Sequence, residues 1–156
     1  MSSKLRIISG GQTGVDRAAL DASLQLGVAC GGWCPAGRLA EDGPIANHYP
    51  LAETNSNQYI ERTRRNVLDS DATLIVYFSA LEGGTKKTVQ FCRQHHKPYL
   101  ELNIAAHDES EAVTSVVRFI LENNIKVLNV AGPRASKQEQ AYPVTKSLIT
   151  SVLKSI

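Results

Sequence analysis

Cysteine is scarce in this chain: three residues, Cys30, Cys34 and Cys92, with no C-x-x-C pair. An odd number without paired spacing gives neither a disulfide framework nor a zinc ribbon, and a reducing, cytoplasmic setting is the expectation. Long apolar runs are missing as well. No stretch approaches the ~20 residues that a membrane-spanning helix needs, so no membrane partner is expected. Met1-Ser-Ser-Lys4 leads into an apolar segment without a signal-peptide core. Excess charge is absent too: 17 basic and 15 acidic residues leave a net +2. That balance argues against nucleic acid as a partner, because domains that bind it carry a clustered basic face. Aromatic residues make up only 6%, but apolar residues reach 42% against 21% charged, a globular composition. A length of 156 residues supplies one complete core and not two, so residues 1–156 are expected to form a single domain.

What is present is alternation. Apolar β-prone runs at 5–9, 28–31, 73–78, 98–102 and 126–131 are separated by helical patterns at 16–26, 58–70, 85–95, 109–123 and 142–154. Such alternation predicts right-handed crossovers: an α/β three-layer domain with a mainly parallel sheet of about five strands and helices on both faces. The run Ala72-Thr-Leu-Ile-Val-Tyr-Phe78 is apolar at consecutive positions, as a strand covered on both sides should be. Residues 32–57 break the rhythm with Pro35, Gly37, Gly43, Pro44 and Pro50. A loop that long is usually functional or disordered, and Trp33, Ile45, Tyr49 and Leu51 favour an ordered, functional one.

The chemistry concentrates in glycine turns. In Ser9-Gly-Gly-Gln-Thr-Gly-Val-Asp-Arg-Ala-Ala-Leu-Asp21, a strand turns sharply into a helix whose first N–H groups lack helical partners. With the helix dipole behind them, those groups suit an anion, and glycine lets a phosphate come close. The expected phosphate contacts are Gly10, Gly11, Thr13 and Gly14, with Gln12 adding hydrogen bonds and Arg17 charge. The glycine spacing fits neither G-x-G-x-x-G nor the P-loop, where a lysine would replace Val15. A second turn, Ser79-Ala-Leu-Glu-Gly-Gly-Thr-Lys-Lys-Thr88, repeats the layout, with Gly83, Gly84 and Thr85 at the phosphate and Thr85 also a candidate helix cap. If the strands at 5–9 and 73–78 are neighbours, both turns open onto one crevice at the strands' carboxyl ends.

In the long loop, Arg38 offers a bidentate fork for phosphate, Glu41 and Asp42 offer acid–base groups, and Trp33 suits either a wall for a planar ring or plain packing. Asp16 suits a helix cap or a third acid–base role. Cys34 reads as a packed thiol, because no base partner is fixed beside it. Near the C-terminus, Arg134, Ser136 and Lys137 project from the same sheet edge, where Arg134 could complete the phosphate pocket.

Taken together, these motifs resemble the putative molybdenum carrier family, Rossmann-like proteins related to the LOG or lysine-decarboxylase-like group. The resemblance is carried by Ile8-Ser-Gly-Gly-Gln-Thr-Gly-Val-Asp-Arg-Ala-Ala-Leu20, Gly31-Gly-Trp-Cys-Pro-Ala-Gly-Arg-Leu-Ala-Glu-Asp-Gly43, Tyr49-Pro-Leu-Ala-Glu-Thr54, Arg62-Thr-Arg-Arg-Asn-Val67, Gly83-Gly-Thr85 and Leu128-Asn-Val-Ala-Gly-Pro-Arg134. It implies a Rossmann-like fold, molybdenum cofactor (a pterin dithiolene carrying a phosphate) as ligand, and homo-oligomers, dimer or tetramer. Related phosphoribohydrolases carry P-G-G-x-G-T-x-x-E, whose glutamate works at the ribose; here Thr88 stands at that position. The leading expectation is therefore a binding or carrier protein for a phosphorylated, ring-containing ligand, molybdenum cofactor first and a nucleotide next. The alternative is a hydrolase acting on a nucleotide, with Glu41 or Asp42 as acid or base. No His/Cys/carboxylate spacing resembles a closed metal site, so a directly bound metal is not expected. The arginine-rich segment 59–68 is the element expected near a subunit interface.

Overall fold

The computed structural model describes residues 4–156. In chain order its elements are β1 (Arg6–Ile8), α1 (Val15–Gln25), β2 (Cys30–Gly31), β3 (Trp33–Cys34), β4 (Ala52–Glu53), α2 (Tyr59–Leu68), β5 (Ala72–Tyr77), α3 (Gly83–Gln94), β6 (Tyr99–Asn103), α4 (Glu109–Glu122), β7 (Val127–Ala131) and α5 (Ala141–Lys154). Five strands form one parallel sheet in the order β2-β1-β7-β5-β6. Helices α1, α4 and α5 pack together as one layer and α2 with α3 as the other. The three-layer α/β architecture expected from the alternation is the one observed. Among the described residues, no helix is long and apolar enough to cross a membrane.

The core follows from the strand sequences. Ile7 lies opposite Leu128, and Leu74 opposite Val130, so the three central strands stack aliphatic side chains in register. All four are fully buried, and each such burial contributes ~1.5–3 kcal/mol. Helix α4 begins with a capping box, Asp108 accepting from the Glu111 N–H and the Glu111 side chain returning to Asp108. The 32–57 loop has its own small core of Cys34, Ile45 and Tyr49 against Leu20 of α1. Within it, β3 and β4 form a separate parallel pair.

Two expectations are corrected. The strands at 5–9 and 73–78 are not neighbours, because β7 lies between β1 and β5. Helix α3 starts at Gly83, two residues before the expected 85, so Thr85 sits inside the first turn and is not the cap; Glu82 takes the cap position without a side-chain hydrogen bond.

The strand order has a simple reading. Counted from β5, the strands β5, β6, β7, β1, β2 become one to five, and their order in space is 2-1-3-4-5. That is a doubly wound order whose direction reverses between its first and third strands, here β5 and β7. Ligands of such sheets sit at that reversal, beyond the carboxyl ends of the strands.

Gly14 tests the packing of the first turn. Its φ is +82°, and a Cβ there would press into the Pro133 carbonyl and the Ala135 N–H. Gly27 has a similar φ of +68° with nothing within 4 Å of a Cβ. Gly27→Ala should cost ~1–2 kcal/mol, the price of the left-handed backbone alone, and Gly14→Ala ~1–2 kcal/mol more through the clash. Urea unfolding of the two variants measures the difference; equal losses would contradict the close approach.

Candidate functional site

A cavity of about 670 Å³ opens at the β5–β7 reversal. Tyr77 and Phe78 at the end of β5 and Asn129 on β7 contribute to its lining, with α2 and the first turn of α3 on its sides. Asn129 is the one polar side chain in the run Val127-Leu-Asn-Val-Ala131; its amide donates to Thr73 Oγ1 at 3.2 Å, across to β5.

The start of α3 carries backbone donors without helical partners. Ser79, with φ +73°, turns the chain out of β5 and donates its N–H to Asn103 Oδ1 at 3.1 Å. The N–H groups of Thr85 and Lys86 return to the Glu82 carbonyl at 3.1 and 3.3 Å. Those of Gly83 and Gly84 have no partner among the described residues, and a Cβ on either glycine would meet nothing within 4 Å. Thr85 is buried and lines the cavity, as do Lys87, Lys137 and Arg134. Free N–H groups at the positive end of a helix, with open space in front and cations around, attract a phosphate.

The first glycine turn is different in part: three of its N–H groups are bonded within the protein, while those of Gly11, Gly14 and Asp16 have no partner among the described residues. Gln12 donates its N–H to Asp16 Oδ2 at 3.3 Å, Thr13 donates to the Gln12 side-chain oxygen at 3.1 Å, and Val15 donates to the Pro133 carbonyl at 3.2 Å. The glycines make room for protein. Gly10 accommodates the Arg62 guanidinium, whose Nη1 donates to the Gly10 carbonyl at 2.8 Å. Gly11, at φ +77°, faces Ile45 and Leu51 of the long loop. Of the residues expected here, Gly10, Gln12 and Asp16 line the cavity, whereas Gly11, Thr13, Gly14 and Arg17 do not. Burial pushes the Asp16 carboxyl up to about 6, although Arg62, 3.7 Å away, and the Gln12 N–H pull it the other way.

The long loop's polar residues hold the loop itself. Arg38 donates to four backbone carbonyls, those of Ile45, Ala46, Tyr49 and Leu51, at 2.8–3.2 Å. It does not reach the cavity, contrary to its expected place at the phosphate. Asp42 pairs with Arg17 through two hydrogen bonds of 2.8 and 3.1 Å. Glu41 accepts from the Thr13 hydroxyl, from the Ser136 N–H at 3.1 Å and from the Ser136 hydroxyl at 2.5 Å, with Arg134 at 3.4 Å. Burial would raise its pKa, but the hydrogen bonds from Ser136 and Thr13 outweigh that and hold it below the ordinary value. Neither Glu41 nor Asp42 lines the cavity, so of the three acid–base candidates only Asp16 does. Trp33 also lies outside: its indole N–H donates to Asp69 at 2.6 Å and the Arg65 guanidinium covers its ring at 4.2 Å. Cys34 is buried, and burial raises its thiol pKa, as packing rather than nucleophilic chemistry requires.

Four residues not among the expected contacts line the cavity and matter to its chemistry: Arg62, Asn129, Lys87 and Tyr59. A lone asparagine inside an apolar strand was the readable sign for Asn129. Arg62 had no such sign, because a helical arginine reads first as solvated.

A doubly wound parallel sheet with its crevice at the strand reversal defines a Rossmann-like α/β protein. Residues 7–153 match the circularly permuted YpsA SLOG family, and the chain belongs to that family. The crystal structure of a putative molybdenum carrier protein from Syntrophus aciditrophicus SB is 42% identical in sequence. It superposes with a TM-score of 0.95, covering 97% of this chain and 96% of that one. Among curated proteins none matches.

The Asp16 carboxyl should titrate near 6 in the folded protein, against 3.8 in the unfolded chain. Its stabilising contribution is then complete below pH 3.8 and is lost as pH rises through about 6, an effect on the order of 1–3 kcal/mol. Side-chain carboxyl NMR checks the midpoint, and Asp16→Asn should remove this part of the stability–pH curve. A midpoint near 4 would contradict the burial.

Proposed function

We propose that the protein binds and carries a phosphorylated, ring-containing small molecule, with the phosphate at the start of α3. The observation that carries this reading is the pair of unpartnered N–H groups on Gly83 and Gly84, which face open space at the β5–β7 reversal. Lys87, Lys137 and Arg134 supply balancing charge, and Tyr59, Ile60 and Phe78 give the ring apolar surface. A cavity of about 670 Å³ is in the range of small-molecule sites.

Molybdenum cofactor is the first candidate cargo, because the 42%-identical protein bears the molybdenum carrier name. The residues suit its phosphate and its flat pterin. Among the described residues no group of three or more His, Cys, Asp or Glu side chains could hold a metal ion, so molybdenum would be carried on the pterin's own sulfurs. A nucleotide is the second candidate. A cytoplasmic homo-oligomer belongs to the same reading, with the half-exposed Tyr59 and Ile60 at the cavity rim as the surface that a second subunit would cover. Of the three arginines of α2, Arg62 is turned inward and Arg65 lies on Trp33, which leaves Arg64, paired with Glu61, on the outer face. Light scattering that gave the monomer mass of 17.0 kDa would remove the oligomer.

One observation favours a second reading, hydrolysis of a nucleotide: Asp16, with its carboxyl near 6, lines the cavity. A group of that kind can hold or release a proton at neutral pH. Chromatography of a nucleotide panel for free base or phosphate separates the two readings: turnover lost in Asp16→Asn would make the protein an enzyme.

Gly84→Val tests the binding reading directly. The added side chain enters open space and leaves the fold intact, but it covers the N–H groups. Calorimetry with a nucleotide or pterin phosphate should show affinity falling ~10- to 100-fold, the loss of one or two hydrogen bonds to a charged group. Unchanged affinity, or no binding of either class at millimolar concentration, would overturn the proposal.

A further inference from the structure

Four polar side chains line the cavity although each is only 3–9% exposed: Gln12, Asp16, Arg62 and Asn129. All four keep hydrogen-bonding capacity that the protein does not use. The Gln12 side-chain oxygen accepts the Thr13 N–H at 3.1 Å and the Glu41 N–H at 2.9 Å. Those two bonds settle which end of the amide is oxygen, and Nε2 has no partner among the described residues. Asn129 gives Nδ2 to Thr73, and its Oδ1 has none either. Arg62 gives Nη1 to the Gly10 carbonyl and Nε to Thr63, which leaves Nη2. Asp16 takes the Gln12 N–H on Oδ2 and has Arg62 beside it, but a carboxylate offers about four acceptor positions. Polar groups this deeply buried are normally paired, so a cavity wall that leaves them open points to a ligand that pairs them.

The pattern of those groups is selective. The Gln12 backbone is bonded to the Asp16 carboxylate, so an acceptor pair and an amide donor belong to one turn. A carboxylate accepts two parallel N–H bonds, and an amide N–H donates to a carbonyl oxygen. A ring edge that satisfies both carries a carbonyl, a ring N–H and an exocyclic amino group in sequence. Guanine and pterin share that edge. Hypoxanthine lacks the amino group, and adenine turns a bare ring nitrogen, an acceptor, toward the carboxylate. The spacing also suits such a ligand. Only β7 separates β1 from β5, so the turns above them lie about 10 Å apart, two strand spacings of ~4.8 Å. That is the kind of span a nucleotide makes from its phosphate to the far edge of its base. Tyr59, with the Arg62 guanidinium over its ring at 5.2 Å, adds a flat surface to the same cavity.

We infer that Asp16 and Gln12 read the ring of the ligand, and that the site selects a guanine or pterin edge over adenine and hypoxanthine. The inference rests on the phosphate reading of α3 for the direction in which the ligand lies, and deepens it by naming the ring. Asp16 is then a specificity residue: its carboxylate rewards two N–H donors and repels a ring nitrogen lone pair. A site built on buried hydrogen-bonding groups rejects an analogue that leaves them unpaired.

Calorimetry with GMP, IMP, AMP and XMP tests it, because the four share ribose and phosphate and differ only at the ring edge. GMP should bind ~10- to 100-fold tighter than IMP, the value of one hydrogen bond to a charged acceptor, and AMP should be weaker still. Asp16→Asn puts an amide N–H where a carboxylate oxygen stood, so it should weaken GMP and favour XMP, whose ring has a carbonyl in place of the amino group. A pterin phosphate, which carries the guanine-like edge, should lose affinity in the same variant. If Asp16→Asn does not fold, as judged by circular dichroism, the GMP to IMP ratio of the native protein decides alone. Equal affinity for GMP, IMP and AMP, all weakened by Gly84→Val, would overturn the ring assignment and leave the α3 phosphate site standing. A GMP preference unchanged in folded Asp16→Asn would overturn it as well. A guanine preference with no sensitivity to Gly84→Val would support the ring assignment and remove the phosphate site. No binding by any of these ligands at millimolar concentration would remove both.

Discussion

The carboxylate of Asp16 inside the first glycine turn is the contact on which the rest of the site depends. It receives the Gln12 N–H and lies beside Arg62, so it fixes both the exit of β1 and the side chain that ties α2 to the sheet. Arg62 then reaches the Gly10 carbonyl, which leaves no space for a Cβ at Gly10. A buried carboxylate beside a buried guanidinium is costly to form and more costly to break, since either group alone would be an uncompensated charge. The turn therefore behaves as a fixed part, and adaptability is left to the α3 side of the cavity.

Around this turn the long loop is strapped rather than merely packed. Arg38 gathers four of its carbonyls, Glu41 joins it to Ser136 and Thr13, and Asp42 joins it to Arg17. Asp21 receives two hydroxyls, Tyr49 from the loop at 2.6 Å and Tyr142 from α5 at 2.5 Å, and burial together with these bonds keeps both phenols protonated, that of Tyr142 up to about 12. Side chains that looked like ligand-binding chemistry are used as internal ties. Their role is to hold a segment of irregular backbone that would otherwise have too few hydrogen bonds.

This explains which parts of the molecule were legible. The alternation of apolar runs and helical patterns gave the layers, and the glycines of Gly83-Gly-Thr85 marked a turn into a helix, because both are local properties of the chain. The spatial order was not legible: nothing local tells β1 that its neighbour is β7, since parallel pairing is set by crossovers that skip strands. Arg38, Glu41 and Asp42 misled because a charged side chain in a loop has the same appearance in sequence whether it faces a ligand or a carbonyl. Asp16 was open to two readings for a related reason; the helix cap is not one it fulfils, because Gly14 holds the cap position of α1 and Asp16 lies inside the first turn.

The permuted strand order also bears on how the chain assembles. β7 is the middle strand of the sheet, yet it is the last strand in the chain, more than a hundred residues beyond its partner β1. During synthesis β1 and β2 on one side, and β5 and β6 on the other, emerge as two separate strand pairs with exposed inner edges. The sheet closes only when β7 arrives to bridge them. Contacts so distant in sequence slow folding, and unpaired edges that wait invite pairing between chains. Truncation that removes residues from Val127 onward would thus remove the keystone of the sheet, not a peripheral element.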